Sequence, residues 1–375
     1  MKKKIVVIQP RILPYRVQIF NEISRKFQSK FLVLQKRVEN KKKFGTITNI
    51  KNINFKRDIK YFRYNKYTSK KKIVCSIFDL IKDYNPKIIL SYEFSWATIA
   101  SLFVKKYFNS NIKLFLLIDD NLDIYNKKKL LRTIYFFLVG KLINGIILTN
   151  HAMEREYKKN LKKETKIIVV PIIQNENIFR NNLKKSLNLS KKNILRFKLT
   201  KTKVILSVGR LIKEKNHLHL IRSFSKLKDD NIRLIIVGEG SERPKLEKLI
   251  LKLNISKKVI LLGKKENLDL YNWYNIANIF VLPSLYEPFG TVVNEALLSG
   301  VKVICSDKVG AKVLISKKKQ VIFNPDDPIQ LTNILNKELK KIKPIKLNQL
   351  NHLKTNLMTI KFKDIYKRLL NLLDS

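Results

Sequence analysis

The stretch Pro283-Ser284-Leu285-Tyr286-Glu287-Pro288-Phe289-Gly290-Thr291-Val292-Val293-Asn294-Glu295 decides the reading of this chain. It follows the apolar run Ile279–Leu282, which reads as a buried strand. Proline and glycine then punctuate a loop, and a helix begins near Thr291. Glu287 falls in the loop and Glu295 one to two turns inside the helix. The backbone of such a turn presents N–H groups and a helix N-terminus to a phosphate. The two carboxylates accept hydrogen bonds from hydroxyls beside it. Binding of phosphate and hydroxyls side by side suits a nucleotide-sugar.

Working outward, short apolar runs alternate with helical spacing almost throughout. Ile5–Gln9, Phe31–Leu34, Ile88–Tyr92, Leu114–Ile118, Ile146–Thr149 and Ile167–Val170 are expected as strands. Tyr15–Phe27, Lys72–Asp83 and Trp96–Tyr107 have helical spacing, and Leu130 to Leu148 fits a helix followed by a strand. The segment from Val38 to Tyr67 is polar and carries no assignment. A second series runs through Val204–Val208, Leu234–Val237, Val259–Leu262, Ile279–Leu282 and Val301–Cys305. Strands apolar on both faces and separated by helices imply parallel sheets. Two such series imply an α/β chain of two doubly wound, Rossmann-like domains. The polar, Asn- and Lys-rich interval after Pro171 is expected as the linker. The expected division is therefore 1–172, linker 173–202, second domain 203–353 and a terminal helix over 354–375.

With 375 residues, 45% of them hydrophobic, the chain can bury two cores. Its formal charge of +49 favours anionic membranes and acidic substrates, and it raises a nucleic-acid-binding alternative. The lysines are spread over the whole chain, and neither a basic stripe nor a nucleic-acid motif accompanies them. Cys75 and Cys305 form no CxxC pair and read as buried, reduced thiols of a cytoplasmic protein. The N-terminal apolar run is too short for a signal peptide, and Leu130 to Leu148 is too interrupted for a spanning helix. His151, His217, His219 and His352 have no ligand spacing and are expected at the surface or in helix packing.

The Glu287–Glu295 element resembles the E-x7-E motif of family-4, or group 1, glycosyltransferases. Ser207-Val208-Gly209-Arg210-Leu211-Ile212-Lys213-Glu214-Lys215-Asn216 is similar to that family's strand–Gly-Arg–Glu-Lys segment. Glu295 to Ile304 is similar to its helix–Gly–strand continuation. The strong resemblance covers residues from about 203 to 325. It implies a GT-B fold, with the two domains facing an interdomain cleft and the terminal helix crossing back to the first. It implies a retaining transferase, moving a hexosyl or N-acetylhexosaminyl group from a UDP- or GDP-sugar without an obligatory metal or other cofactor. The acceptor is expected to be a glycan or lipid-linked carrier of surface polysaccharide or lipopolysaccharide, at the inner face of the cell membrane. No nucleic acid is expected among the partners, since neither a basic stripe nor a nucleic-acid motif is present. A GT-B enzyme of other chemistry, such as a sugar-nucleotide epimerase, is the remaining alternative.

The resemblance carries roles onto matching residues. Glu295 is expected to bind the donor ribose, and Glu287 to contact the transferred sugar. Phe289, Gly290, Thr291 and Val292 offer backbone N–H groups to sugar and diphosphate. Arg210 and Lys215 are expected to hold the diphosphate, stabilising charge that grows as the glycosidic bond breaks. Gly238-Glu239-Gly240 either precedes the donor-base region or forms an ordinary strand-to-helix turn. In the first domain Asp119 and Asp120 stand where many family members carry a histidine near the reacting sugar. Either orients the acceptor or takes its proton, or serves as a cap or turn residue. A metal-binding reading of the same acidic run, as in the GT-A fold, competes with this, and the second-domain motif argues against it. Pro10 to Arg16 replaces the Gly-rich loop of many members; Arg16 either meets an anionic ligand or belongs to a helix start. Glu93 stands at the end of another strand as an acceptor-side candidate.

Overall fold

The computed structural model describes residues 1–10, 12, 16–36, 58–64, 70–119, 125–126, 129–150, 152–159, 161, 164–316 and 321–375. The chain divides into two compact units, Met1–Ile172 with Lys363–Ser375, and Ile173–Phe362.

The first unit holds seven parallel strands in the order β3-β2-β1-β4-β5-β6-β7. They are β1 Lys4–Gln9, β2 Gln28–Lys36, β3 Ile59–Tyr64, β4 Ile88–Tyr92, β5 Lys113–Ile118, β6 Gly145–Leu148 and β7 Lys166–Val169. Helices α1 Val17–Lys26, α2 Lys70–Tyr84, α3 Trp96–Tyr107, α4 Lys129–Val139 and α5 Ala152–Lys158 connect them. Strand β3 lies in the polar segment left without assignment; its pairing with β2, Phe31 opposite Ile59, is a long-range fact that local periodicity does not carry. The central strands are buried on both faces, with Ile5, Val6 and Val7 at 0% exposure. This is why they read as continuous apolar runs.

The second unit repeats the plan with six parallel strands in the order β10-β9-β8-β11-β12-β13. They are β8 Lys203–Val208, β9 Ile232–Val237, β10 Val259–Leu261, β11 Ile279–Leu282, β12 Lys302–Ser306 and β13 Val321–Phe323. Its helices are α6 Glu176–Lys185, α7 Leu187–Arg196, α8 His217–Ser225, α9 Arg243–Lys252, α10 Leu268–Ile276, α11 Thr291–Leu298 and α12 Gln330–Lys340. Strand order reverses between β8 and β11. In an open α/β sheet that switch point, beyond the carboxyl ends of the strands, is where ligands bind. The Gly209–Lys215 and Pro283–Gly290 segments both emerge there.

The interval 173–202 is no linker: it folds as α6 and α7 within the second unit. Asn175 caps α6, its side chain accepting from the amides of Asn177 (3.0 Å) and Ile178 (3.2 Å). Phe179, Leu183 and Ile194 supply the buried apolar face. The polar residues that hid the helices face buried polar residues of α10. Asn193 donates to Asn272 Oδ1 (2.8 Å), and Asn275 donates to Leu183 O (3.0 Å) and Ser186 Oγ (2.9 Å).

The terminal helix α13 spans Phe362–Asp374, shorter than the expected 354–375, and its residues from Lys363 onward group with the first unit. Asp374 pairs with Lys3 and Lys26 of that unit at 2.9 Å each, which holds its carboxyl below the usual range. Cys305 is buried, but Cys75 is exposed on α2, so the expectation of two buried thiols holds for one. Among the described residues no helix is long and apolar enough to cross a membrane.

Candidate functional site

Three turns meet at the switch point of the second sheet. The first leaves β8 through Gly209 and Arg210. The second, Gly238–Gly240 after β9, lies directly on it. Leu211 N donates to Glu239 O (2.9 Å) and Glu242 N to Leu211 O (2.8 Å). A Cβ on Gly238 would stand 1.8 Å from Gly209 O, and one on Gly240 2.3 Å from Leu211 O. No other residue fits either place, so these glycines set the position of the Arg210 loop.

The third turn leaves β11. Its backbone is fixed from two sides. Leu285 N donates to Glu214 O (2.9 Å), while Glu287 N donates to Lys308 O (3.3 Å) and Gly310 N to Glu287 O (3.0 Å). Gly290 then reverses the chain at φ +89° and starts α11, whose first helical residue is Thr291. A Cβ there would come within 3.0 Å of Glu287 Cγ and 3.1 Å of Leu282 Cδ2. The first amides of α11 have no acceptor within the helix and carry its positive dipole end.

Glu287 does not brace its own turn. Its carboxylate forms an ion pair with Lys215 Nζ, both side chains being nearly nine-tenths buried. Burial and the neighbouring Arg210 pull the Lys215 ammonium down to about 8, with Glu214 opposing them. The Glu287 carboxylate opposes them as well, by ordinary attraction of unlike charges. Arg210 itself is exposed.

Glu295 is clamped. Its Oε2 accepts from Tyr274 OH and its Oε1 from Gln174 Nε2, each at 2.8 Å. The residue retains some exposed surface, but its carboxyl lies deep among protein atoms. Burial pushes that carboxyl up to about 7, and the two hydrogen bonds oppose the rise. Each oxygen keeps a further lone pair for an incoming hydroxyl. Tyr274 is fully buried, and its phenol is raised well above its ordinary value by burial and by Glu295. The adjacent Asn294 accepts from Gln174 N at 2.8 Å, which fixes the residues just before α6 against α11.

The expected residues Arg210, Lys215, Glu287, Phe289, Gly290, Thr291, Val292 and Glu295 thus belong to one unit, on the two turns either side of the switch point and the helix that the second one starts. Sequence reasoning missed Tyr274 and Gln174. Both are remote in sequence from the motif, and no local pattern distinguishes them.

The first-unit candidates form a separate group. Arg16, at the start of α1 and 4% exposed, pairs with the carboxylate of Asp119, which follows β5. Glu93 adopts φ +47°; its N donates to Leu117 O (3.0 Å), and its O accepts from Thr98 Oγ1 (2.7 Å). Asp120, like His151, lies outside the described residues. Among the described residues no group of three or more His, Cys, Asp or Glu could hold a metal ion. His217 is buried in helix packing, and burial with nearby Lys215 brings its imidazole down to about 4.

Comparison with known proteins bears on the family and the fold. Residues 191–352 match the family model described as glycosyl transferases group 1. An uncharacterized glycosyltransferase of Methanocaldococcus jannaschii is 28% identical over 265 residues, 67% of this chain and 63% of its own length. The N-acetylgalactosamine-N,N'-diacetylbacillosaminyl-diphospho-undecaprenol 4-alpha-N-acetylgalactosaminyltransferase of Campylobacter jejuni is 44% identical over 115 residues, 30% of this chain and 31% of that one. The chain therefore spans less than two thirds of the length of these curated relatives. Anabaena HepE, solved in complex with UDP, superposes with a TM-score of 0.72 at 17% identity, over 99% of each chain. Together with the two parallel sheets, that likeness gives the architecture as GT-B. Over residues 191–352 the chain carries a domain of the glycosyl transferases group 1 family.

Proposed function

We propose that the protein transfers a sugar from a UDP- or GDP-sugar to a glycan or lipid-linked acceptor, with retention of anomeric configuration. One observation carries this reading. Two carboxylates flank the N-terminus of α11, while two cations reach the same switch point from β8. Glu295, held by Tyr274 and Gln174, is the ribose acceptor. The α11 amides with Arg210 and Lys215 take the diphosphate, and Glu287 contacts the sugar. In the reaction the bond between the anomeric carbon and the diphosphate oxygen breaks. A bond to the acceptor hydroxyl oxygen forms on the same face, and the hydroxyl proton passes to the leaving phosphate. Fixed cations stabilise the diphosphate more as charge develops on it. Asp119, oriented by Arg16, serves the acceptor side.

The transferred group is a hexose or N-acetylhexosamine, and the product a surface polysaccharide or lipopolysaccharide precursor. The match to an undecaprenol-linked glycan transferase supports this choice. No metal is required. The protein works peripherally on the anionic inner face of the membrane, in keeping with its charge of +49.

Purified protein incubated with UDP- and GDP-sugars and an undecaprenyl-diphosphate-linked acceptor, without metal, checks the whole reading. Mass spectrometry is expected to find the acceptor heavier by one sugar, and NMR an anomeric configuration equal to the donor's. Release of an epimerised nucleotide-sugar with an unchanged acceptor would replace transfer by isomerisation.

A further inference from the structure

The first unit exposes large apolar side chains on two helices, outside the site proposed above. On α3, Trp96, Ile99, Phe103 and Tyr107 recur at helical spacing and are all exposed, opposite the buried Ala97, Ala100 and Val104. On α4 the outward residues are Leu130, Leu131, Ile134, Phe137 and Leu138, with Phe137 83% exposed and Leu130 73%. The two helices follow the adjacent parallel strands β4 and β5, so right-handed crossovers place them on one face of the sheet. Phe94, two residues before α3, joins them, its ring 4.9 Å from Tyr135 and 5.4 Å from Phe136. An exposed apolar surface of this extent marks an interaction site.

Charge selects the occupant. Neither helix contains Asp or Glu. Exposed Lys106 ends α3, Lys129 opens α4, and Lys141 follows it. A second copy would bring two surfaces of a +49 chain together against their repulsion. Nucleic acid offers no partner for nine large apolar side chains. An anionic bilayer satisfies both features: acyl chains accept Leu and Phe, the interface accepts Trp and Tyr, and acidic headgroups accept the lysines. We propose that the outer faces of α3 and α4 dock the protein on anionic lipid. This deepens the membrane part of the function proposed above and locates it on the molecule.

Co-sedimentation of the full chain with vesicles of phosphatidylglycerol and phosphatidylcholine, against phosphatidylcholine alone, tests it. Binding is expected to be about tenfold tighter to the anionic vesicles and to fall about tenfold or more in a Leu131→Ser, Phe137→Ser double variant. Trp273 is buried, so a blue shift of tryptophan emission on vesicles reports Trp96. Two results overturn the proposal: undiminished vesicle binding by the variant, or a vesicle-free dimer that the variant abolishes. Transfer to a water-soluble acceptor analogue is expected to be equal in both proteins. Vesicle binding with no transfer by the wild type would instead sink the proposed function and leave the docking face standing.

Discussion

Glu295 shows how a single residue couples binding to pH. A hydroxyl donating to its carboxylate favours the ionised form, whereas burial favours the neutral form and puts the midpoint at about 7. Donor affinity is therefore expected to fall as pH drops from 8 through 7 to 6, with proton release on binding at neutral pH. Calorimetry in buffers of different ionisation enthalpy measures that release; a pH-independent affinity with no proton exchanged would dissociate Glu295 from the donor. Glu295→Ala is expected to weaken donor binding by about ten- to a hundredfold, the worth of hydrogen bonds to a charged group. Glu287→Ala is expected to lower kcat by about a hundredfold with a smaller change in donor affinity, read from steady-state kinetics beside equilibrium binding. The motif made both carboxylates legible in the sequence. The partners of Glu295 were not legible, since Tyr274 and Gln174 reach it only through the packing of α10 and of the chain entering α6 onto α11.

Elements place these residues, and close backbone approach places the elements. Gly238→Ala puts a methyl 1.8 Å from Gly209 O, a clash only backbone movement relieves. The expected loss is about 3 kcal/mol of stability, with donor binding weakened through the displaced Arg210 loop. Chemical denaturation and nucleotide titration of the same variant check both, and an unchanged protein would show the turn to be looser than described. On α8, buried His217 binds its proton near pH 4 in the native state against about 6.5 unfolded. Its folded pKa is depressed, so stability is lost as pH falls from 6.5 toward 4. Glu295, with a raised pKa, works oppositely: the native carboxyl gains its proton at about 7, before the unfolded one near 4.5, so stability is gained as pH falls between them. Glu295→Gln is then expected to steepen the loss of melting temperature between pH 7 and 5; an unaltered slope would contradict the burial of this carboxyl. Most strands were legible because parallel strands buried on both faces are continuous apolar runs. The polar helices α6 and α7 were not, because their Asn and Ser residues find partners on α10 that no local window includes.

At the scale of the whole molecule, a large positive charge coincides with two doubly wound units, one carrying the group 1 glycosyl transferase domain. Composition alone left the partner of that charge open among membrane, acidic substrate and nucleic acid. The exposed face of α3 and α4 was not legible in the sequence, where Trp96–Tyr107 and Leu130 to Leu148 carried helical spacing and no sign of which residues face outward. Only their exposure separates an interaction surface from a buried one. The central claim is that the second unit binds a nucleotide-sugar through Glu295, and thermal shift of the intact protein tests it most directly. With UDP-, GDP-, ADP- and TDP-sugars at millimolar concentration and no metal, one nucleotide class is expected to raise the melting temperature. The rise is expected to vanish in Glu295→Ala. No rise with any of the four, or an equal rise in the variant, would contradict the account.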